Sequence, residues 1–68
     1  MNMHMYSKTQ ISVVIDEWIL NERDRKILKR RLLDGIHYEP LAEEFNLSPR
    51  QVKTIVRKHL PQIEKHLF

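Results

Sequence analysis

The chain contains no cysteine, one glycine and three prolines among its 68 residues. Without cysteine, neither disulfides nor thiolate metal sites can staple the fold, and a reducing cytoplasm suits it. No apolar run approaches the ~20 residues that span a bilayer, so no membrane contact is expected. There is no internal repeat, no low-complexity tract and no alternating apolar pattern of strand type. The four histidines, His4, His37, His59 and His66, show no i, i+4 pair or other ligand spacing, so neither metal nor cofactor is expected. No nucleophile–base pair, phosphate-cradling glycine loop or carboxylate pair stands out, and catalysis is not expected.

What remains is one small domain. A chain this short buries only ~60% of its unfolded surface, leaving a thin core in which a deep catalytic pocket would be costly. With 41% apolar and 31% charged residues it has an ordinary globular composition. The net charge is +3 and the pI about 9.5, which permits a polyanionic partner. Residues 1–8 lack the apolar core of a signal peptide and read as a short flexible tail, with the domain occupying 9–68.

The punctuation divides the chain into helices, giving an all-α expectation. Ile11, Val14, Ile15, Trp18 and Ile19 form one apolar stripe over a first helix at about 9–20, with Trp18 in the core. Asn21 is a good N-cap for a second helix over 22–34, where Glu22 and Asp24 suit the positive end of the helix dipole. Ile27, Leu28, Leu32 and Leu33 supply its apolar contacts, and Gly35 is the left-handed terminator. A third helix spans about 39–45, with Pro40 harmless in its first turn and Leu41, Ala42 and Phe45 inward. Asn46 then takes a tight turn at positive φ. Ser48-Pro49-Arg50-Gln51 combines an N-cap serine, proline at the first helical position and glutamine at the third. That start opens a fourth helix over 48–60, which Pro61 kinks or ends. A short helical turn at 62–67 follows, with Ile63 and Leu67 available to close the core.

On a wheel of ~100° per residue, Lys53, Thr54 and Arg57 fall within about 60° of Arg50. Val52, Ile55, Val56 and His59 fall on the opposite side, and no acidic residue occurs between Ser48 and Ile63. One face is thus apolar and the other cationic, as a recognition helix requires. Arginine can bond guanine bidentately in the major groove, and threonine can meet a base edge or a thymine methyl. Lys53 and Lys58 suit phosphate. The expected contacts to double-stranded DNA are Ser48, Arg50, Gln51, Lys53, Thr54, Arg57 and Lys58. A basic outer face that is merely solvated is the plainer reading, and the preceding segment argues against it. Leu41-Ala42, then Phe45-Asn46-Leu47, then Val52 and Ile55 match the helix-turn-helix pattern in spacing, with Ala42 allowing a close helix crossing. The expectation is a small tetrahelical helix-turn-helix bundle.

A narrower resemblance lies in Leu20-Asn21-Glu22-Arg23-Asp24-Arg25-Lys26-Ile27-Leu28, Arg31-Leu32-Leu33-Asp34-Gly35, Tyr38-Glu39 and Leu41-Ala42. This stretch, continued to Leu60, resembles the promoter-binding C-terminal domain (region four) of bacterial sigma factors. The related domain of quorum-sensing-type response regulators is similar, with its glycine usually one residue earlier. The resemblance implies a bacterial or phage transcription regulator whose recognition helix enters the major groove through Arg50, Lys53, Thr54 and Arg57. It also implies docking on RNA polymerase. Pro49 departs from the family, which often has a DNA-contacting polar residue there; His37 replaces the usual Ser or Thr cap, and Pro40 an acidic residue.

The resemblance also gives Arg31 a supporting role, as a partly buried arginine paired with Asp24, Glu43 or Glu44 rather than a phosphate ligand. Lys29 and Arg30 are expected to be exposed and to extend a basic surface. Glu39, Glu43 and Glu44 form the solvated face of the third helix, and His59 is a satisfied core residue. A single domain contacts few phosphates, so useful specificity needs a homodimer, a tethered partner or polymerase. Leu67, Phe68 and the exposed side of the first helix offer contacts for that. The alternative function is a protein-interaction adaptor that keeps the fold and docks on RNA polymerase or a partner regulator with little DNA binding.

Overall fold

Short polar side chains set three of the four helix starts. In the computed structural model, which describes residues 6–67, four α-helices follow one another: α1 (Lys8–Trp18), α2 (Glu22–Leu32), α3 (Tyr38–Phe45) and α4 (Pro49–Leu67). The expected tail methionines Met1, Met3 and Met5, and the proposed contact Phe68, lie outside the described residues. Among the described residues there is no strand, and the fold is an all-α bundle. No helix of these residues is long and apolar enough to cross a membrane.

The start of α1 corrects the expected tail. Ser7 and Gln10 form a capping box, in which the Gln10 N–H donates to Ser7 Oγ at 3.1 Å and the Ser7 N–H to Gln10 Oε1 at 2.8 Å. Two donors that a helix start leaves unpaired are thereby satisfied. Tyr6 packs against the core just before it. Residues 6–8 therefore belong to the folded domain.

Trp18 is a second correction. By angle it continues the stripe of Ile11, Val14 and Ile15, yet it is 44% exposed. The helix stops at Trp18, and Ile19 takes an extended conformation (φ −102, ψ 107). Helical periodicity ends there, so the extended step turns Ile19 into the core at 1% exposure and leaves Leu20 89% exposed. The Trp18 ring instead stacks on His66 near the end of α4, with centroids 3.6 Å apart and planes 3° from parallel.

Asn21 caps α2 by accepting the Asp24 N–H at 3.0 Å. The helix stops two residues short of the expected 34, with Leu33 as its C-cap. Beyond it Gly35 takes φ +69, while the Ile36 N–H reaches back to the Arg30 carbonyl at 3.2 Å. In α3, Asn46 supplies the left-handed C-cap (φ 57, ψ 44), and the Leu47 N–H closes onto the Ala42 carbonyl at 2.8 Å. His37 occupies the N-cap position without a side-chain hydrogen bond to the helix.

The end of α4 corrects the sequence reading most. The helix runs unbroken through Pro61 for 19 residues, instead of ending near Leu60. Proline costs a helix interior ~3 kcal/mol, because it lacks an N–H and crowds the carbonyl four residues back. Here Pro61 is exposed, and the carbonyl it leaves unpaired belongs to Arg57, itself an exposed residue that water can reach. Beyond it Ile63 is wholly buried, and burying an isoleucine contributes about 1.5–3 kcal/mol. Leu67 packs on the core and His66 on Trp18, which holds the last turns in line.

The centre is aliphatic. Ile15, Ile19, Ile27, Leu28, Leu41, Val52 and Ile63 are its largest fully buried side chains, with Tyr6, Tyr38 and Phe45 packed around it. Every other helix touches α4, most extensively α1 and α3. This packing pins the inner face of α4 and leaves its outer face to solvent.

Candidate nucleic-acid interface

The first turns of α4 are anchored at both ends of a short lever. Ser48 and Gln51 form a second capping box: the Gln51 N–H donates to Ser48 Oγ at 3.1 Å and the Ser48 N–H to Gln51 Oε1 at 2.8 Å. Pro49 fits the first helical position, where its missing N–H costs nothing. Val52 and Val56 are buried beneath, with Ile55 partly so. The helix is therefore fixed in rotation, and Arg50, Lys53, Thr54, Arg57 and Lys58 all lie exposed.

The seven expected contact residues differ in what they have left to offer. Ser48 and Gln51 are engaged in the cap, which leaves the Gln51 amide N–H₂ as an outward donor. Thr54 donates its hydroxyl hydrogen to the Arg50 carbonyl at 3.0 Å, so its oxygen lone pairs and its methyl face outward chemistry. Lys53 carries its ammonium 5.5 Å from the centroid of the Tyr38 ring. Arg50, Arg57 and Lys58 have no ion pair among the described residues.

Two cations of α2 stand in contrast. Lys29 meets Asp16 at 2.7 Å, and Arg30 meets Glu44 at 2.9 Å and Asp34 at 3.2 Å. The hydrogen bonds that Arg30 donates to Glu44 and then to Asp34 raise its pKa above the ordinary value. The expectation that Lys29 and Arg30 extend a basic surface is therefore corrected, because carboxylates of α1, α3 and the α2–α3 loop neutralise them. Arg31 is corrected too. One residue on, and ~100° around the helix, its guanidinium meets neither Asp24, Glu43 nor Glu44. It donates to the Ile36 carbonyl at 3.2 Å and lies 4.5 Å from the Tyr38 ring centroid. Among the described residues the cations without an ion pair are Arg50, Lys53, Arg57, Lys58 and Lys65 on α4, with Lys8, Arg25 and Arg31 elsewhere.

Three features escaped the sequence. Asp24 is 7% exposed, and its Oδ2 lies 2.9 Å from His59 Nε2 on the inner side of α4. This contact ties α4 to the start of α2. Arg23, bonded to Asp24 Oδ1 at 3.3 Å, lines the same shallow depression as Arg50, Gln51 and Thr54. The Tyr38 ring gathers cations of two helices. All three depend on how α2, α3 and α4 meet, and no local spacing signals them. On the other flank, Glu39 lines a depression with Lys53 and Pro49 and sets one negative charge beside the cationic face. Among the described residues no group of three His, Asp or Glu side chains is placed to hold a metal ion. No family model, curated protein or solved structure matches the chain.

Proposed function

We propose that this chain binds double-stranded DNA sequence-specifically, with α3 and α4 as a helix-turn-helix and α4 as the helix that enters the major groove. The observation that carries the reading is the contrast in pairing. Arg23, Lys26, Lys29 and Arg30 of α2 meet carboxylates, whereas Arg50, Arg57 and Lys58 lie exposed without one on a helix whose opposite face is core. Arg50 and Arg57 serve as base or phosphate ligands, Lys53 and Lys58 as phosphate ligands, and Thr54 as a methyl or acceptor contact. Arg23 joins them from α2.

The resemblance of the stretch Leu20 to Leu60 to a promoter-binding domain extends the proposal to transcription regulation in contact with RNA polymerase. Alone, such a domain binds non-specific duplex at about 10⁻⁴–10⁻⁶ M at physiological salt. A second copy or polymerase raises the effective affinity. The adaptor reading draws on a different surface: Val13, Trp18 and Leu20 are large exposed apolar side chains. His66, on which Trp18 stacks, is about 24 Å along α4 from Arg50 at ~1.5 Å per residue.

The charge-reversal variant carrying Arg50→Glu and Lys53→Glu separates the two. DNA reading predicts at least a tenfold loss of duplex affinity at unchanged helical content, since one lost bidentate contact is worth ~1–3 kcal/mol. Unchanged duplex affinity in this variant contradicts it.

A further inference from the structure

Tyr38 is the first residue of α3, half-buried, and two cations from two other helices gather on its ring. The Arg31 guanidinium of α2 lies 4.5 Å from the ring centroid and the Lys53 ammonium of α4 5.5 Å. Both distances are within the ~6 Å over which a ring quadrupole attracts a cation. Neither cation has a carboxylate within ion-pair distance among the described residues. A free lysine on an exposed helix face samples many rotamers, and ordering it on a ligand costs up to ~2 kcal/mol of side-chain entropy. A lysine already held over a ring meets less of that cost.

We propose that Tyr38 is a positioning residue that holds Lys53 for one DNA backbone phosphate at the α3 edge of the α4 face. The inference rests on the DNA-binding reading and deepens it, since it assigns Lys53 to the backbone and fixes the register in which Arg50 and Arg57 meet the groove. On the helix wheel Lys53 lies about 60° from Arg50, towards α3 and the flank of the groove, where a phosphate and not a base edge is met.

The test uses the full chain and a fluorescent mixed-sequence duplex, with affinity followed between about 50 and 200 mM salt. The proteins are the unmodified chain, Tyr38→Phe, Tyr38→Leu, Lys53→Gln and the variant with both Tyr38→Leu and Lys53→Gln. Phenylalanine keeps the ring face, so Tyr38→Phe should retain the parent slope of log K against log salt. Tyr38→Leu and Lys53→Gln should each make the slope shallower by about one unit, the share of one phosphate. The double variant should lose no more slope than Tyr38→Leu alone. A purely structural role for Tyr38 does not mimic this, because a smaller folded fraction scales affinity equally at every salt concentration. An unchanged slope for Tyr38→Leu, or losses that add in the double variant, overturns the positioning role alone. Absence of salt-dependent binding by the unmodified chain overturns the DNA-binding reading, and this inference with it.

Discussion

Replacing Asp24 by alanine should be among the most damaging single changes in the domain, although sequence marks Asp24 only as a helix-start acid and a candidate partner of Arg31. Its side chain is 9% exposed and bonds His59 Nε2 at 2.9 Å, while the His59 side chain is 13% exposed. A hydrogen bond involving a charged group contributes about 1.5–3 kcal/mol net. Loss of a negative charge from the first turn of α2 adds about 0.3–1 kcal/mol. The Arg23 contact at 3.3 Å has its guanidinium half in solvent and adds little. The expected cost is about 2–4 kcal/mol, a large fraction of the ~3–10 kcal/mol available to a domain of this length. A shift of ~4–8 °C per kcal/mol lowers the midpoint by roughly 10–30 °C. Thermal and urea unfolding, followed by circular dichroism and by the emission of Trp18, measures it. Asp24→Asn keeps a neutral acceptor and should lose about half as much. The Asp24→Ala and His59→Leu changes should also be non-additive by at least ~0.5–1 kcal/mol, as for contacting residues. An Asp24→Ala cost below ~0.5 kcal/mol, or strict additivity with His59→Leu, refutes the idea that this pair fastens α4 to α2.

Pro61→Ala should stabilise the protein by about 1–3 kcal/mol, because it restores the N–H that a continuous helix lacks at that point; a destabilised variant in urea titration would show that α4 is broken there. Gly35→Ala should cost about 1 kcal/mol from its φ of +69 alone, since no neighbouring atom lies within 4 Å of an added Cβ. A cost well above that would reveal packing at a turn that this geometry leaves open. Ser48→Ala should lose about 0.5–2 kcal/mol through the cap of α4, and it should also weaken duplex affinity less than Arg50→Ala does at a temperature where both are folded.

Local rules made much of the fold readable. The caps at Asn21 and Ser48, the left-handed turns at Gly35 and Asn46 and the apolar stripes of α1 and α4 each act within a turn or two of chain, where spacing decides the outcome. Trp18 and Pro61 were misread because tertiary packing overrode such rules. The helix ended at Trp18, so that the extended Ile19 is buried and Trp18 is not, and buried Ile63 carried α4 past a residue that ordinarily stops a helix. The candidate interface was legible as a row of exposed cations on α4. Its bonding was not. Which arginine of α2 meets Glu44, which carboxylate meets His59 and where Tyr38 places its ring depend on helix packing, to which a one-residue change of about 100° is decisive.

The most direct test of the central claim is selection of binding sites from a random duplex pool, with affinity for the enriched site followed against salt. Sequence-specific reading through α4 predicts a defined motif, and a slope of log K against log salt of about −3 to −6 for a handful of phosphate contacts. No enrichment, together with no salt-dependent binding at high micromolar protein, would contradict it and turn attention to the exposed surface around Trp18 and Leu20.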